Sequence, residues 1–157
     1  MSILEGLHDL CVSKGISVAV AESCTSGLVA SKLTLKSRSS SFFKGGIIAY
    51  QNAIKIKILG VNEQAILHYT EVSTEVVRQM AEGVRKSFSA DYSIATSGYA
   101  GPSGGTNNNP IGTVFIAISS ASGVDVERFV FSGNRQSIVS QASEKSLSLL
   151  YDAIKKH

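Results

Sequence analysis

The sequence predicts a three-layer α/β/α sandwich built on a mixed, mostly parallel sheet. Short apolar runs rich in β-branched residues alternate with segments of helical spacing along most of the chain, the pattern of crossover connections. Near the carboxyl end, two strand-like runs are separated only by Ala121-Ser122-Gly123, the pattern of a hairpin. The 157 residues, 43% hydrophobic, suffice for one domain with a sizeable core and are too few for two ordinary ones. No internal repeat or linker interrupts them.

In chain order, Ile3, Leu4, Leu7, Leu10 and Cys11 recur in steps of three and four, one face of an amphipathic helix that Gly15 closes. Ile16 to Ala21 is a short buried strand. A polar turn at Ser23 follows, then a helix to about Lys36. Ser37 to Ser41 is a loop, and Phe42 to Tyr50 leads into a second strand. Asn52 is placed to cap a short helix containing Ile54, Lys55, Ile58 and Leu59, closed by Gly60. Val61 to Glu71 is a connection with about one helical turn. Ser73-Thr74-Glu75 opens a helix whose buried side is Val76, Val77, Met80, Val84 and Phe88. Asp91 to Thr96 is the third strand and runs into a glycine-rich loop from Ser97 to Pro110, long for a connection. Gly112 to Ser119 and Val124 to Phe131 form the hairpin. A last helix follows Ser132-Gly133-Asn134 and buries Ile138, Ala142, Leu149, Leu150, Ala153 and Ile154.

Charge and composition exclude several classes of function. The net charge of +3 is too small and too scattered for a nucleic-acid partner. No apolar run approaches the ~20 residues of a membrane span. The amino terminus lacks a basic segment followed by an apolar one, so no signal peptide is expected. Cys11 and Cys24 read as reduced thiols of a cytoplasmic protein, and His8, His68 and His157 show no metal-ligand spacing. Neither a metal nor a cofactor is expected.

The stretch from Val18 to Gly27 carries the chemistry. It is a strand, a tight turn and a helix start, and a helix start offers unpaired N–H groups to an anion. Ser23, Cys24 and Thr25 are the nucleophile-capable residues there. On this stretch alone, Ser23 or Thr25 as a simple helix cap is the plainer reading, and Cys24 reads as a small buried thiol. Lys55 is either a solvated lysine, like Lys57, or a desolvated one able to act as a base in a Ser–Lys pair. Tyr50 packs at a strand end or holds that base. The loop containing Gly98, Gly101, Gly104, Gly105 and Thr106 is a surface turn or an anion cradle. Ser40 reads on sequence alone as a solvated loop serine, the alternative being a hydrogen bond to a ligand. Arg135, at the start of the last helix, is a surface residue or a clamp on a phosphate or carboxylate.

The ordered set Ala21-Glu22-Ser23-Cys24-Thr25-Ser26-Gly27, Ser39-Ser40 with Phe43 and Gly45-Gly46, Tyr50-Gln51-Asn52 with Lys55 and Leu59-Gly60-Val61, Val72-Ser73, Ser97 to Gly105, Pro110 to Val114, and Phe131 to Arg135 resembles the CinA C-terminal domain family. The resemblance covers nearly the whole chain. It implies a single deamidase-like domain over residues 1–157, without the extra amino-terminal domain of longer members. It also implies an amidohydrolase that converts nicotinamide mononucleotide to nicotinic acid mononucleotide and ammonia. By motif position Ser23 is the nucleophile, Lys55 the base and then the acid, and Tyr50 the accompanying tyrosine. Ser40 falls on a serine of the family's second loop. Thr25, Ser26 and Gly27 lie at the oxyanion turn. The glycine loop and Arg135 are candidates for the phosphate or ribose.

Three positions depart from the family pattern: Ser26 for a glycine, Asn109 for a lysine and Val139 for an arginine. An alternative reading is a nucleotide-binding module that keeps the fold and crevice without turnover, and a third is an interaction protein. The expected partner is a small-molecule nucleotide, with no nucleic acid or membrane, and a homo-oligomer is the expected assembly.

Overall fold

The computed structural model describes residues 2–157. The strands are β1 (Val18–Glu22), β2 (Phe43–Ile48), β3 (Tyr92–Gly98), β4 (Thr113–Ser120) and β5 (Gly123–Val130). The helices are α1 (Ile3–Lys14), α2 (Leu28–Leu33), α3 (Asn52–Leu59), α4 (Glu63–Tyr69), α5 (Thr74–Ser87) and α6 (Arg135–Lys156). The sheet order is β2-β1-β3-β4-β5. β1 pairs in parallel with β2 and β3, and β4 is antiparallel to β3 and β5. Every strand but β4 therefore runs in the same direction, as expected of a mixed, mostly parallel sheet.

Alternation along the strands divides the core in two. Val18 and Val20 of β1 with Ile94 of β3 pack toward α1, α2 and α6. Ala19 and Ala21 with Ala95 pack toward α3, α4 and α5. All five β1 residues are buried, which is why that strand lacks polar alternation. α1 has a capping box between Ser2 and Glu5 and ends at Gly15 in the left-handed conformation.

Four sequence expectations shift. The segment from Val61 to Glu71 holds α4, seven residues long, with the Asn62 side chain accepting from the Gln64 amide. Asn52 does not cap α3, because Gln51 is the N-cap and makes no side-chain cap bond. β3 continues to Gly98, so the glycine loop starts later than the sequence suggests. In α6, Leu149 and Ala153 are only half-buried, while Ser143 and Ser146 are fully buried. Their hydroxyls are satisfied locally, donating to the Ser140 and Ala142 carbonyls at 2.8 Å.

Candidate functional site

The carboxyl ends of β1, β2 and β3 converge, which is where open α/β sheets bind ligands. Register sets this directly: Glu22 lies beside Ile48 on one side and Thr96 on the other. The Ala49 amide donates to the Glu22 carbonyl at 2.8 Å, and the Ser23 amide donates to the Thr96 carbonyl at 3.1 Å. Ser23 and Tyr50 thereby leave neighbouring strands at the same end of the sheet.

Glu22 organises the turn. Its side chain is 1% exposed and accepts from the Thr25 hydroxyl at 2.6 Å and from the Gly27, Val29 and Ala30 amides at 3.1, 3.0 and 2.9 Å. It thus satisfies the start of α2, the role the sequence offered to Ser23 or Thr25. The N-cap itself, Gly27, makes no side-chain bond. The Thr25 hydroxyl has a single proton and donates it to Glu22. The Thr96 hydroxyl, 2.8 Å from that of Thr25, must then donate to it. Sequence reasoning passed over Glu22, although an acidic residue ending an all-apolar strand just before a helix has few other places to put its charge.

This arrangement frees Ser23. Ser23 is 9% exposed, its hydroxyl has no partner among the described residues, and it is not among the buried polar atoms left unsatisfied, so the oxygen meets solvent. Among the described residues, the Cys24 and Thr25 amides donate to no other group, whereas the Ser26 amide is taken by the Ser23 carbonyl at 3.0 Å. Cys24 is 6% exposed, and burial pushes its thiol up to about 12, which keeps it protonated and unreactive. Ser26 has φ 45°, a left-handed backbone that favours glycine and that serine adopts at a cost of roughly 1–2 kcal/mol.

Lys55 is 1% exposed and belongs to α3, which packs on the face of the sheet away from α2, the helix whose start Glu22 holds. Its ammonium donates to the Tyr50 carbonyl at 3.3 Å and makes no bond to Ser23. Burial lowers its pKa below the ordinary lysine value, and Glu71 and then Cys24 offset part of that. Tyr50 is half exposed, and its phenol oxygen accepts from Arg135 Nη2 at 2.7 Å. Arg135 Nη1 donates to the Gly101 carbonyl, also at 2.7 Å. One guanidinium therefore ties the exit of β2, the glycine loop and the start of α6 together, with N–H groups to spare.

The glycines of the loop serve packing as well as access. A Cβ on Gly98 would lie 2.5 Å from the Thr113 carbonyl oxygen, and one on Gly105 2.9 Å from the Ile111 amide. Gly101 and Gly104 lie in the same loop. Thr106 closes a turn, its hydroxyl accepting from the Asn109 amide at 2.9 Å. Asn109, which stands in the lysine position of the family pattern, accepts from Arg128 Nε at 3.0 Å, so β5 supplies a cation there.

Ser40 is not brought to this crevice. It sits in a short 3-10 turn, Ser39–Ser41, immediately before β2. β2 starts beside Val18, and β1 runs from there to Glu22, so Ser40 lies at the opposite end of the sheet from Ser23. A return helix after a parallel strand delivers the chain to the far end, and the sequence motif carries no sign of that distance. A groove of about 650 Å³ between β5 and the end of α6, lined in part by Asp125, Glu127 and Asp152, also lies away from Ser23 and Lys55.

Among the described residues no group of three or more His, Cys, Asp or Glu side chains is placed to hold a metal ion, and Cys11 and Cys24 are free. No helix among them is long and apolar enough to cross a membrane.

The architecture is that of an α/β domain with a hydroxyl-bearing turn at the carboxyl ends of its parallel strands. The chain belongs to the CinA C-terminal domain family, whose model matches residues 1–154. It is 40% identical over 151 residues to a CinA-like protein of Flavobacterium psychrophilum and 39% identical over 150 residues to one of Shewanella sediminis, 96% of this chain in each case. It spans only 36% and 35% of the length of those two proteins. The crystal structure of a competence-damaged protein (CinA) superfamily protein from Klebsiella pneumoniae matches with a TM-score of 0.93 at 28% identity, covering 100% of both chains. That of a competence or damage-inducible protein from Enterobacter asburiae gives a TM-score of 0.93 at 33% identity, covering 97% of this chain and 96% of that one.

Proposed function

We propose that the domain is an amidohydrolase acting on nicotinamide mononucleotide through Ser23 and Lys55. The observation that carries this reading is a lysine buried to 1% exposure, its pKa lowered, at the same strand ends as a serine hydroxyl with no partner among the described residues. A buried structural lysine is rare, because desolvating an ammonium is costly.

The chemistry follows from those groups. Lys55, as the neutral amine, leaves the Tyr50 carbonyl and takes the Ser23 proton while Ser23 Oγ bonds to the carboxamide carbon. The oxyanion is received by the Cys24 and Thr25 amides, a donor of this kind being worth ~3–4 kcal/mol. Lys55 returns the proton to the departing nitrogen, the C–N bond breaks and ammonia leaves, with an ester remaining on Ser23. Water, deprotonated by Lys55, then attacks the ester carbon, and Lys55 returns that proton to the departing Ser23 Oγ, releasing nicotinic acid mononucleotide and restoring the serine. Arg135 and the glycine loop receive the phosphate or ribose.

The test is ammonia release by the purified protein given nicotinamide mononucleotide. Release matched by nicotinic acid mononucleotide supports the reading, and no release above a heat-denatured control overturns it. One observation favours a second reading, a nucleotide-binding module without turnover: Lys55 is bonded to the Tyr50 carbonyl and not to Ser23. Nucleotide binding without ammonia release, unaffected by Lys55→Ala, selects that reading.

A further inference from the structure

The groove between β5 and the end of α6 lies on the face of the sheet that α6 covers. Strand register sets its floor and one wall. Ile118 lies directly opposite Asp125, and Ile116 directly opposite Glu127, so these side chains share that face. α6 forms the other wall with Leu149, Asp152 and Lys156, which fall on one side of the helix. Tyr92, at the start of β3, closes the inner end and belongs to the same apolar cluster as Ile116 and Ile118. The volume of about 650 Å³ is that of a small-molecule site.

The polar groups of this groove are unspent. Asp125, Glu127 and Asp152 make no ion pair among the described residues. Tyr92 is only 8% exposed, yet its hydroxyl has no partner among the described residues. Its oxygen is not among the buried polar atoms left unsatisfied, so it opens into the groove that it lines. Lys156 and His157 also line the groove, where the carboxylates outnumber the one lysine in a chain of net charge +3. The occupant that fits is an extended cation. Residues two apart on one face of a strand are separated by about 7 Å. Asp125 and Glu127 are therefore too far apart to share a metal ion at ligand distances of roughly 2–2.6 Å. Among the described residues no group of three or more His, Cys, Asp or Glu is placed to hold one. The same separation is close to that of the two nitrogens in an extended four-carbon diamine. Ammonium groups only donate, matching carboxylates that only accept and a phenol oxygen that can accept. The methylenes between them have Ile116, Ile118 and Leu149 to lie on.

We propose that this groove binds a linear aliphatic polyamine, its ammonium groups held by Asp125, Glu127 and Asp152 and one of them also donating to the Tyr92 hydroxyl. The groove lies away from Ser23 and Lys55, so the proposal stands or falls apart from the reaction proposed there.

The test is a calorimetric titration of the 157-residue protein with spermidine at low ionic strength, with 15N-resolved amide spectra locating the site. One saturable site of sub-millimolar Kd is expected, with amide shifts concentrated at residues 123–127 and 149–156. Raised salt is expected to weaken it, since the carboxylates are exposed. The double variant Asp125→Asn with Glu127→Gln changes two exposed side chains and is expected to raise Kd about tenfold or more. Tyr92→Phe keeps the buried ring, loses the hydroxyl and is expected to raise Kd about threefold or more. Butylamine, with one ammonium group, is expected to bind about tenfold more weakly than spermidine. No saturable binding at about 10 mM spermidine overturns the proposal, as does an unmoved Kd in the double variant or in Tyr92→Phe. A lysine-containing peptide that shifts the same amides at lower concentration than spermidine also overturns it and assigns the groove to a protein partner.

Discussion

The Glu22 carboxylate lies 2.6 Å from the Thr25 hydroxyl and, through its other oxygen, 2.9 Å from the Ala30 amide, so one side chain holds the turn that presents Ser23 to solvent. Glu22→Gln would aim an NH2 group at donors that need an acceptor. The expected cost is about 2–4 kcal/mol, since a buried donor left unpaired forfeits its desolvation energy. Urea denaturation checks this, and a variant as stable as the wild-type protein contradicts it.

Ser26 occupies a left-handed backbone at φ 45° and is exposed, so nothing opposes its replacement. Ser26→Gly relieves roughly 1–2 kcal/mol of steric cost and adds roughly 0.5–1 kcal/mol of unfolded-state entropy. A net gain of about 0.5–1 kcal/mol is expected, raising Tm by roughly 2–4 °C per kcal/mol in a chain of this size. The Ser26 amide is already bonded to the Ser23 carbonyl, so the oxyanion donors are left as they are.

The fold was largely legible because its signals are local. The steps of α1, the capping serine of α5 and the glycine of the β4–β5 turn each act within a few residues. The site was legible only where a residue's partner lies close in sequence, as Tyr50 does to Lys55. Glu22 reaches forward to Ala30, but its role depends on burial, which no spacing displays. Ser40 shares the serine-rich motif yet lies at the far end of the sheet, since motif order does not encode which end of a strand a loop occupies. Arg135 meets Tyr50 from 85 residues away, a contact set by the docking of α6 on the sheet.

Arg135 bridges Tyr50 and Gly101 and has further N–H groups without a partner among the described residues. Arg135→Ala is expected to raise KM for nicotinamide mononucleotide about tenfold or more, the loss of a charge-assisted contact to phosphate. The riboside lacking the phosphate should be turned over equally by both proteins. Equal losses on both substrates would place Arg135 elsewhere in the reaction.

Lys55 should reduce stability in exchange for function. Burial lowers its folded pKa, so the unfolded chain binds that proton more tightly. Stability therefore rises with pH from the depressed folded pKa to the ordinary value of 10.5, and the penalty is complete below that window. Lys55→Met is expected to abolish turnover while gaining about 1 kcal/mol at pH 7. The gain should shrink as pH approaches 10. Urea titrations at the two pH values check it, and a less stable Met variant at pH 7 contradicts it.

The claim that Ser23 and not Cys24 attacks the amide is tested most directly by ammonia release from nicotinamide mononucleotide, measured side by side for Ser23→Ala and Cys24→Ala. The expected result is a loss on the order of 10³-fold or more for Ser23→Ala. Cys24→Ala should stay within about threefold of the wild-type rate, as expected for a thiol that burial keeps protonated. Undiminished release from Ser23→Ala, or loss confined to Cys24→Ala, would contradict the assignment.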